Sequence, residues 1–85
     1  MNLTLRKNVS IVHAETGTIL LNERTGRYWQ LNTSGMLVLD ILRNGGTVYD
    51  ACRALTDRYP VDYDQAAADI DALLVILRSA GLVTS

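Results

Sequence analysis

The segment from residue 17 to residue 35, GTILLNERTGRYWQLNTSG, constrains the fold of this chain most. It holds two strand-like runs on either side of Arg24-Thr25-Gly26, where the glycine can adopt the positive φ that a short hairpin loop needs. Asn32-Thr33-Ser34 then supplies capping side chains just before the apolar run MLVLDIL, so a helix is predicted to begin there. Because no later segment has a strand pattern, the sheet is expected to end at Arg27–Leu31 with an unpaired edge.

The chain is predicted to form one domain over residues 1–85, in the α+β fold class. A winged-helix-like arrangement, with a three-stranded antiparallel β-meander followed by three α-helices (β-β-β-α-α-α), accounts for the whole sequence. Strands are indicated by β-branched residues between glycine-containing turns, and helices by apolar periodicity between capping residues. The predicted strands are Val9–Ala14, a run that begins at Thr18, and Arg27–Leu31; the predicted helices extend from about Ser34 to Arg43, from Thr47 to about Tyr59, and from Tyr63 to Ala80.

Several residues mark the ends of these elements. Thr47 and Asp50 have the spacing of a capping box, and Asp62 is a good N-cap for the third helix. Gly81 follows that helix at the C′ position, as is common where helices end. Residues 1–8 are polar and are expected to be frayed or to extend the first strand.

Composition excludes several kinds of site. Eight Lys or Arg against nine Asp or Glu give a net charge of −1, whereas a compact nucleic-acid-binding protein usually has a clear basic excess. With a single cysteine, Cys52, and a single histidine, His13, there is neither an intrachain disulfide nor a cluster of metal ligands. Cys52 lies at helical spacing from Val48 and Leu55, which is typical of a small core residue. No metal and no cofactor are therefore expected.

No segment of the sequence has the features of a membrane or export signal. The longest apolar run is far shorter than the ~20 residues of a membrane-spanning helix. The first residues, MNLTLRKNVS, lack the apolar core and the cleavage site of a secretory signal. We therefore expect a cytoplasmic protein without membrane contacts.

The groups needed for catalysis are missing from the pattern. Acyl transfer needs a nucleophile, a base and an oxyanion hole, but Cys52 lies in a core pattern and His13 on a strand. Gly45-Gly46 lacks the spacing of a phosphate-binding loop. The Asp residues on the first half of the third helix, at positions 62, 64, 69 and 71, complement its dipole and are expected to face water. The chain is therefore not expected to be an enzyme.

A winged-helix module suggests either DNA binding through the third helix or peptide binding between that helix and the sheet. Residues 62–78 contain four Asp and one Arg, so this helix would repel the phosphates of a major groove. The basic residues near the sheet are few: Arg6, Lys7, Arg24 and Arg27. DNA binding stays an alternative that charge disfavours, and no nucleic-acid partner is expected.

Peptide binding by strand addition agrees better with this charge distribution. An exposed edge strand offers N–H and C=O groups to an extended peptide, and side-chain pockets add specificity. Alternate residues of a strand point to opposite faces, so Trp29 shares a face with Leu31, and Tyr28 shares the other with Gln30. Two interpretations of the aromatic pair stay open, because these side chains either line a binding surface or cover a small core.

The predicted third helix has more apolar surface than a one-sided stripe. This excess indicates either wider packing in the core or one wall of a binding groove. The buried face is expected to contain Ile70, Leu73, Leu74 and Leu77, and the neighbouring flank contains Ala66, Asp69, Leu73, Ile76 and Ala80.

Several short segments have a specific order and spacing over about residues 9–84: LLNERTGRYWQLN, the Leu31-Asn32 step into TSG, Gly45-Gly46-Thr47-Val48, Tyr59-Pro60, and Asp69-Ile70 followed by Leu73-Leu74 and Gly81-Leu82-Val83. Together they resemble the PqqD-like RiPP recognition elements, small proteins that bind the leader segment of ribosomally made peptide precursors. Within that family, NERTGRYWQLN combined with NGGTVYDACRALTDRYPVD resembles the stand-alone subunit of split lasso-peptide systems. PqqD itself usually has an aromatic residue where Leu82 stands, which makes quinone-cofactor synthesis the less favoured assignment.

The resemblance implies a binding protein without chemistry of its own. Such proteins hold the leader as a fourth strand against the third strand, in the cleft beside the third helix. They present it to a separate leader peptidase, a cysteine protease of transglutaminase-like type, and a macrolactam synthetase acts afterwards. Leaders of this class are expected to present a Tyr and a Pro to hydrophobic pockets. The resemblance implies strand contacts at Arg27, Tyr28, Trp29, Gln30 and Leu31, and, with the helical wheel, helix contacts at Asp69, Leu73 and Ile76.

Other functions are compatible with the same resemblance. A PqqD-type chaperone could serve another RiPP or a quinone-cofactor pathway, and a purely structural adaptor could bind the peptidase without binding the leader. An uncovered sheet edge can also pair with a second copy. The expected oligomeric state is a monomer or a weak edge-paired dimer.

Overall fold

The computed structural model describes residues 3–84, which form two small sheets and three helices. The central sheet is an antiparallel meander in the order β2-β3-β4, and the helices follow it. This confirms the predicted α+β class and the order of its main elements. The elements are β1 (Thr4–Leu5), β2 (Val9–Ala14), β3 (Gly17–Asn22), β4 (Tyr28–Leu31), α1 (Thr33–Arg43), α2 (Val48–Arg58), α3 (Tyr63–Ser79) and β5 (Val83–Thr84).

Two short turns determine the register of the central sheet. Glu15 and Thr16 alone connect β2 to β3, so that Ala14 lies opposite Gly17. The longer turn between β3 and β4 contains Gly26 with φ +76°, which confirms the positive φ predicted for this loop. Because β4 pairs only with β3 among the described strands, it forms one edge of the sheet.

A second, two-stranded sheet joins the two ends of the described chain. β1 pairs antiparallel with β5, with Thr4 opposite Thr84, and Leu3 is buried beside this pair at 1% exposure. The backbone N–H of Arg6 also donates to the C=O of Leu82 at 3.0 Å. The expectation that no strand follows Arg27–Leu31 is therefore wrong, and so is the expectation that the first eight residues are frayed, for residues 3–8. Residues 1 and 2 lie outside the described chain.

The helix caps agree with the sequence signals. Thr47 and Asp50 form a reciprocal capping box, in which each backbone N–H donates to the other's side chain, at 2.9 and 3.1 Å. The carboxylate of Asp62 accepts from the N–H of Gln65 at 2.8 Å and caps α3. These caps place the start of each helix within one residue of the predicted position.

One core lies between the inner face of the sheet and the three helices. Cys52 is fully buried in it, which confirms its interpretation as a small core residue. The buried face of α3 agrees with the helical wheel except that Leu73 is only half-buried. The fully buried large side chains include Leu3, Leu20, Leu31, Leu39, Leu42, Ile70, Leu77 and Leu82.

The side chain of Asn22 joins the β3–β4 turn to the end of α3. Its Nδ2 donates to the C=O of Gly81 at 3.1 Å, and its Oδ1 accepts from the N–H groups of Arg24 and Thr25 at 3.0 and 3.1 Å. Asn22 is 7% exposed and is the buried polar residue among the described residues. The amide thus supplies hydrogen-bond partners to backbone groups of the turn and of the helix end at a site with little access to water.

Replacing Asn22 by alanine tests this link. Asn22→Ala removes three hydrogen bonds at a buried site, and we expect it to lower the free energy of unfolding by roughly 2–3 kcal/mol. Denaturant unfolding followed by circular dichroism measures this change. Asn22→Asp keeps the acceptor for the turn but directs a carboxylate at the C=O of Gly81. Burial beside a C=O raises the pKa of this acid in the folded protein, so we expect its deficit relative to the wild type to shrink as the pH falls towards about 4 and to stay constant below that pH. A wild-type stability for Asn22→Ala would contradict the assigned role.

Candidate functional site

A groove of about 760 Å³ opens between β4 and α3. Its floor is the surface of the core, and its walls come from elements that are distant in sequence. The sheet contributes the inner side of β4 and the turn before β3, and the helices contribute the start of α1, the end of α2 and the middle of α3. The lining residues are Thr16, Trp29, Gln30, Leu31, Asn32, Ser34, Gly35, Val38, Leu55, Tyr59, Pro60, Val61, Asp69, Ile70 and Leu73.

The floor of the groove is apolar and its walls are partly exposed. Leu31, Val38 and Ile70 are buried in the core and contribute only one side to the groove. Trp29 on one wall is 39% exposed, and Leu73 on the other wall is half-buried. These two side chains offer apolar surface that another molecule can cover, which is the usual composition of a binding groove.

The free edge of β4 runs beside this groove. Where the β3–β4 ladder begins, the N–H of Asn22 donates to the C=O of Arg27 at 2.8 Å. Hydrogen-bonded and non-hydrogen-bonded pairs alternate along an antiparallel ladder, so Trp29 also directs its N–H and C=O towards β3. Tyr28 and Gln30 lie between these positions and direct theirs away from β3. We call these four outward groups the free edge.

The end of β4 is held against the preceding turn. Nε2 of Gln30 donates to the backbone C=O of Thr16 at 2.8 Å and lies 3.2 Å from its hydroxyl oxygen. A Cβ on Gly17 would lie 2.8 Å from the C=O of Leu31, so only glycine permits this approach of the two strands. The free edge is thus a fixed element of the groove.

The rim of the groove is polar. Asn32 caps α1, and its Oδ1 accepts from the N–H of Gly35 at 2.8 Å and from the hydroxyl of Ser34 at 2.9 Å. On the opposite side, Oδ1 of Asp69 accepts from Nε2 of Gln65 at 2.8 Å. Asp69 is the one charged side chain among the described residues that line the groove. Any molecule that fills the groove therefore meets an apolar floor and a single anionic position.

The structure brings five of the eight predicted contact residues together. Trp29, Gln30, Leu31, Asp69 and Leu73 line the groove.

The other three predicted contacts lie outside the groove lining. Nη1 of Arg27 donates to the C=O of Ser79 at 3.3 Å, which connects the start of β4 to the end of α3. The side chain of Tyr28 lies on the outer face of the sheet and is 65% exposed, although its backbone belongs to the free edge. Ile76 is half-buried, three residues beyond Leu73 along the helix.

Sequence reasoning missed the wall that the α2–α3 connection supplies. Tyr59, Pro60 and Val61 line the groove, and Val61 donates its N–H to the C=O of Tyr59 at 2.8 Å in a tight turn. Two bulky apolar residues around a proline in a short connection are a usable signal, because such a connection is ordinarily polar. The residues at the start of α1, which the sequence predicts as a helix cap, also line the groove.

The described residues do not assemble a catalytic or metal-binding group in this region. Cys52 is buried in the core, and His13 is exposed on β2 with its Nδ1 3.3 Å from the hydroxyl of Thr18. Within residues 3–84 no set of three His, Cys, Asp or Glu side chains is placed to hold a metal ion. No helix in that range has the length and apolar character needed to cross a membrane.

The fold is similar to that of two solved structures. The first is described as "Lasso peptide synthetase B1 complexed with the leader peptide"; it is 33% identical, the similarity covers 100% of both chains, and the TM-score is 0.93. The second is described as "TbiB1 in Complex with the TbiA(beta) Leader Peptide"; it is 24% identical over 96% of this chain and 94% of that chain, with a TM-score of 0.76, and it shows the fold alone. No curated protein matches the chain in sequence.

Residues 17–83 match the family described as "Coenzyme PQQ synthesis protein D (PqqD)". This range begins with β3 and ends in β5, so it includes the free edge, all three helices and the complete lining of the groove except Thr16. The match confirms the family that the sequence segments resemble. The chain belongs to the PqqD family.

Proposed function

We propose that this protein binds the leader segment of a ribosomally made lasso-peptide precursor, as an extended strand added to β4 beside α3. The observation that carries the proposal is the free edge of β4 directly beside an apolar groove. Strand addition needs both features together, since backbone groups supply affinity and the groove supplies pockets for alternate side chains. The β2 edge of the same sheet contributes no lining residue to the groove.

The free edge determines the geometry of the bound leader. Tyr28 and Gln30 each offer one N–H and one C=O, so an antiparallel peptide can form up to four backbone hydrogen bonds, each worth a net ~0.5–1.5 kcal/mol. Leader residues opposite Trp29 and Leu31 then point into the groove, and those opposite Tyr28 and Gln30 point to the outer side. The side chain of every second leader residue thus contacts the groove.

The groove suits large apolar leader side chains. Trp29 and Leu73 both line it, and covering an aliphatic or aromatic leader side chain contributes about 1.5–3 kcal/mol before ordering costs. A Tyr and a Pro, which the family resemblance implies, are suitable occupants of such a surface. Asp69 can accept a hydrogen bond from a leader donor at the rim. Arg27 and Ile76 take part at the ends of the contact, as the resemblance implies.

The protein presents the bound leader to a separate enzyme. In this proposal, as the family resemblance implies, cleavage belongs to a leader peptidase, a transglutaminase-like cysteine protease, and ring closure belongs to a macrolactam synthetase. The proposal places the protein in the cytoplasm, where the precursor is synthesised, and needs neither cofactor nor metal. Without leader the protein is a monomer or a weak dimer paired through the free edge.

A titration with a synthetic leader tests the proposal. The probe is a synthetic lasso-precursor leader that contains the expected Tyr and Pro, added to ¹⁵N-labelled protein and followed by amide NMR shifts. We expect the largest shifts at Tyr28 and Gln30, whose N–H groups form new hydrogen bonds, and further shifts along Asp69–Leu73. If a saturating concentration of peptide causes no shift at residues 27–31, the proposal is wrong.

A proline substitution tests the backbone contribution. Tyr28→Pro removes an N–H of the free edge at the first residue of β4, where proline is tolerated and no β3–β4 hydrogen bond is lost. We expect it to weaken leader binding about 3- to 10-fold more than Tyr28→Ala, measured by fluorescence anisotropy, because one hydrogen bond is lost. Tyr28→Ala is the matched control, since it removes the same side chain and keeps the N–H. Equal affinities for the two variants would exclude pairing at this residue.

A pair of substitutions on α3 tests the groove wall. Leu73→Asp introduces a charge beside the leader, and we expect it to weaken binding roughly 10- to 100-fold, which corresponds to the loss of one apolar contact. Val75→Asp is the control, since Val75 lies on the same helix, is 56% exposed and does not line the groove. Isothermal calorimetry measures affinity and thermal unfolding measures stability. If Leu73→Asp unfolds the protein instead, Leu73 is a core residue and not a contact.

A further inference from the structure

A second concave surface lies between α2 and α3, on the side of α3 that is turned away from the groove. It is an open pocket of about 390 Å³. Among the described lining residues, Ile70 alone is shared with the groove, and it is a core residue beneath both surfaces. A molecule in this pocket is therefore separated from the groove by the body of α3. The lining residues are Val48, Ala67, Ala68, Ile70, Asp71 and Leu74.

Two exposed tyrosine side chains adjoin this pocket. Tyr49 follows Val48 at the start of α2, and Tyr63 lies one helical turn before Ala67 on α3. Their ring centroids are 5.9 Å apart, and the two side chains are 54% and 41% exposed. The guanidinium of Arg53 lies 5.9 Å from the centre of the Tyr49 ring, and its Nη1 donates to the Tyr49 hydroxyl at 2.9 Å. We call Tyr49, Arg53 and Tyr63, together with the pocket, the tyrosine face.

The composition of the tyrosine face is that of a protein-binding surface. Tyrosine and arginine, with tryptophan, are the residue types that most often dominate the binding energy of an interface. The ring contact and the hydrogen bond to Arg53 hold the side chain of Tyr49 in one orientation before anything binds. Less side-chain entropy is then lost on association, so the aromatic pair is preorganised for contact with a partner.

Three carboxylates border the tyrosine face. Asp57 lies one helical turn after Arg53 on α2. Asp64 is next to Tyr63 on α3, and Asp71 lines the pocket. All three are exposed, and within residues 3–84 none of them accepts a hydrogen bond or forms a close ion pair. These carboxylates outnumber the single cation of the tyrosine face, so the complementary partner surface is basic.

The same charges exclude other occupants. A nucleic acid or an anionic membrane presents phosphate groups, which the carboxylates repel. Two copies that met through their tyrosine faces would form a symmetric contact, in which the same patch lies on both sides. The carboxylates of one copy would then lie against those of the other, and like charges oppose association. The occupant that fits is a different protein with basic residues around an apolar centre.

We propose that the tyrosine face docks the macrolactam synthetase, through a surface of that enzyme with basic side chains around an apolar centre. This inference rests on the proposed function, because it assigns a binding surface to an enzyme of the same pathway. It adds a second contact site to the protein, on the opposite side of α3 from the leader.

The location of the tyrosine face favours the synthetase over the peptidase. The peptidase cleaves a precursor whose leader is held at the free edge, so it must reach the groove side of α3. The synthetase acts on the segment that cleavage releases and needs no contact with the leader. From the tyrosine face it can therefore remain bound while the leader and the peptidase occupy the other side. The released segment is then set free close to the enzyme that consumes it.

A charge reversal at Asp71 tests the inference. The probe is the purified macrolactam synthetase of the proposed pathway, and its affinity for the full chain is measured by biolayer interferometry with and without bound leader. Leader affinity is measured separately by fluorescence anisotropy. For Asp71→Lys we expect a loss of synthetase affinity of roughly 10-fold or more and a change in leader affinity below about 2-fold. Synthetase binding by the wild type is expected to weaken as salt is added, since salt screens exposed charges.

Asp40→Lys is the matched control, because Asp40 is an exposed carboxylate on α1 that lines neither concave surface. It changes the net charge by the same amount, and we expect it to change neither affinity. Tyr49→Ala is the second variant, and it removes apolar contact without changing the charge. We expect it to weaken synthetase binding roughly 10-fold or more, whereas Tyr49→Phe, which keeps the ring, weakens it less than about 3-fold. Thermal unfolding shows whether each variant is folded, and if one is not, the other decides.

Wild-type synthetase affinity for both Asp71→Lys and Tyr49→Ala would overturn the inference. Equal losses for Asp71→Lys and Asp40→Lys would also overturn it, because the effect would then follow net charge and not location. Competition between leader and synthetase has the same consequence, as does a wild-type chain that binds no synthetase. A chain that binds the synthetase through the tyrosine face but binds no leader contradicts the proposed function alone.

Discussion

The buried amide of Asn22 is the interaction on which the geometry of the groove depends. It binds two N–H groups of the β3–β4 turn and the C=O of Gly81 after α3, so it fixes the hairpin relative to the end of that helix. The guanidinium of Arg27 adds a second, more exposed link to the C=O of Ser79. With both links in place, the start of β4 is held against the C-terminal end of α3, and the groove opens between the two elements. An apolar residue at position 22 could fill the same volume but would leave three backbone groups without partners.

This arrangement also explains why β4 can remain an uncovered edge. The helix α3 directs Ile70, Leu74 and Leu77 into the core, and Leu73 packs against that core while part of its side chain stays exposed to the groove. The groove floor is formed by core residues, since Leu31 and Ile70 are buried in the core and also line the groove. Stability and binding thus share residues on the floor and, in part, on the walls, because Leu73, Tyr59 and Val61 also pack against the core. Substitutions on the walls therefore need a stability measurement beside the binding measurement.

Local sequence signals predicted most of the fold. The features that were not predicted depend on contacts between residues distant in the sequence. Gly26 and the capping box of Thr47 and Asp50 act within a few residues, so the meander and the helix starts could be read from the sequence. The pairing of Thr4 with Thr84 could not, because two-residue strands have no measurable periodicity and their partners stand at opposite ends of the chain. The groove wall at Tyr59-Pro60-Val61 had a local signal, two bulky apolar residues around a proline, but this signal does not say what the connection faces. Its position in the groove follows from how α2 and α3 pack together.

The alternation of the free edge has a consequence for selectivity among leaders. Only Tyr28 and Gln30 offer outward backbone groups, and any peptide sequence can pair with them, so hydrogen bonding alone selects neither a leader nor a register. A shift of one residue, however, moves every inward side chain to the outer face. A leader whose large apolar side chains recur at every second position fills the space between Trp29 and Leu73 in one register and exposes those side chains in the other. Selection therefore depends on spacing as much as on composition, because the groove and the edge must be satisfied by the same peptide in the same register.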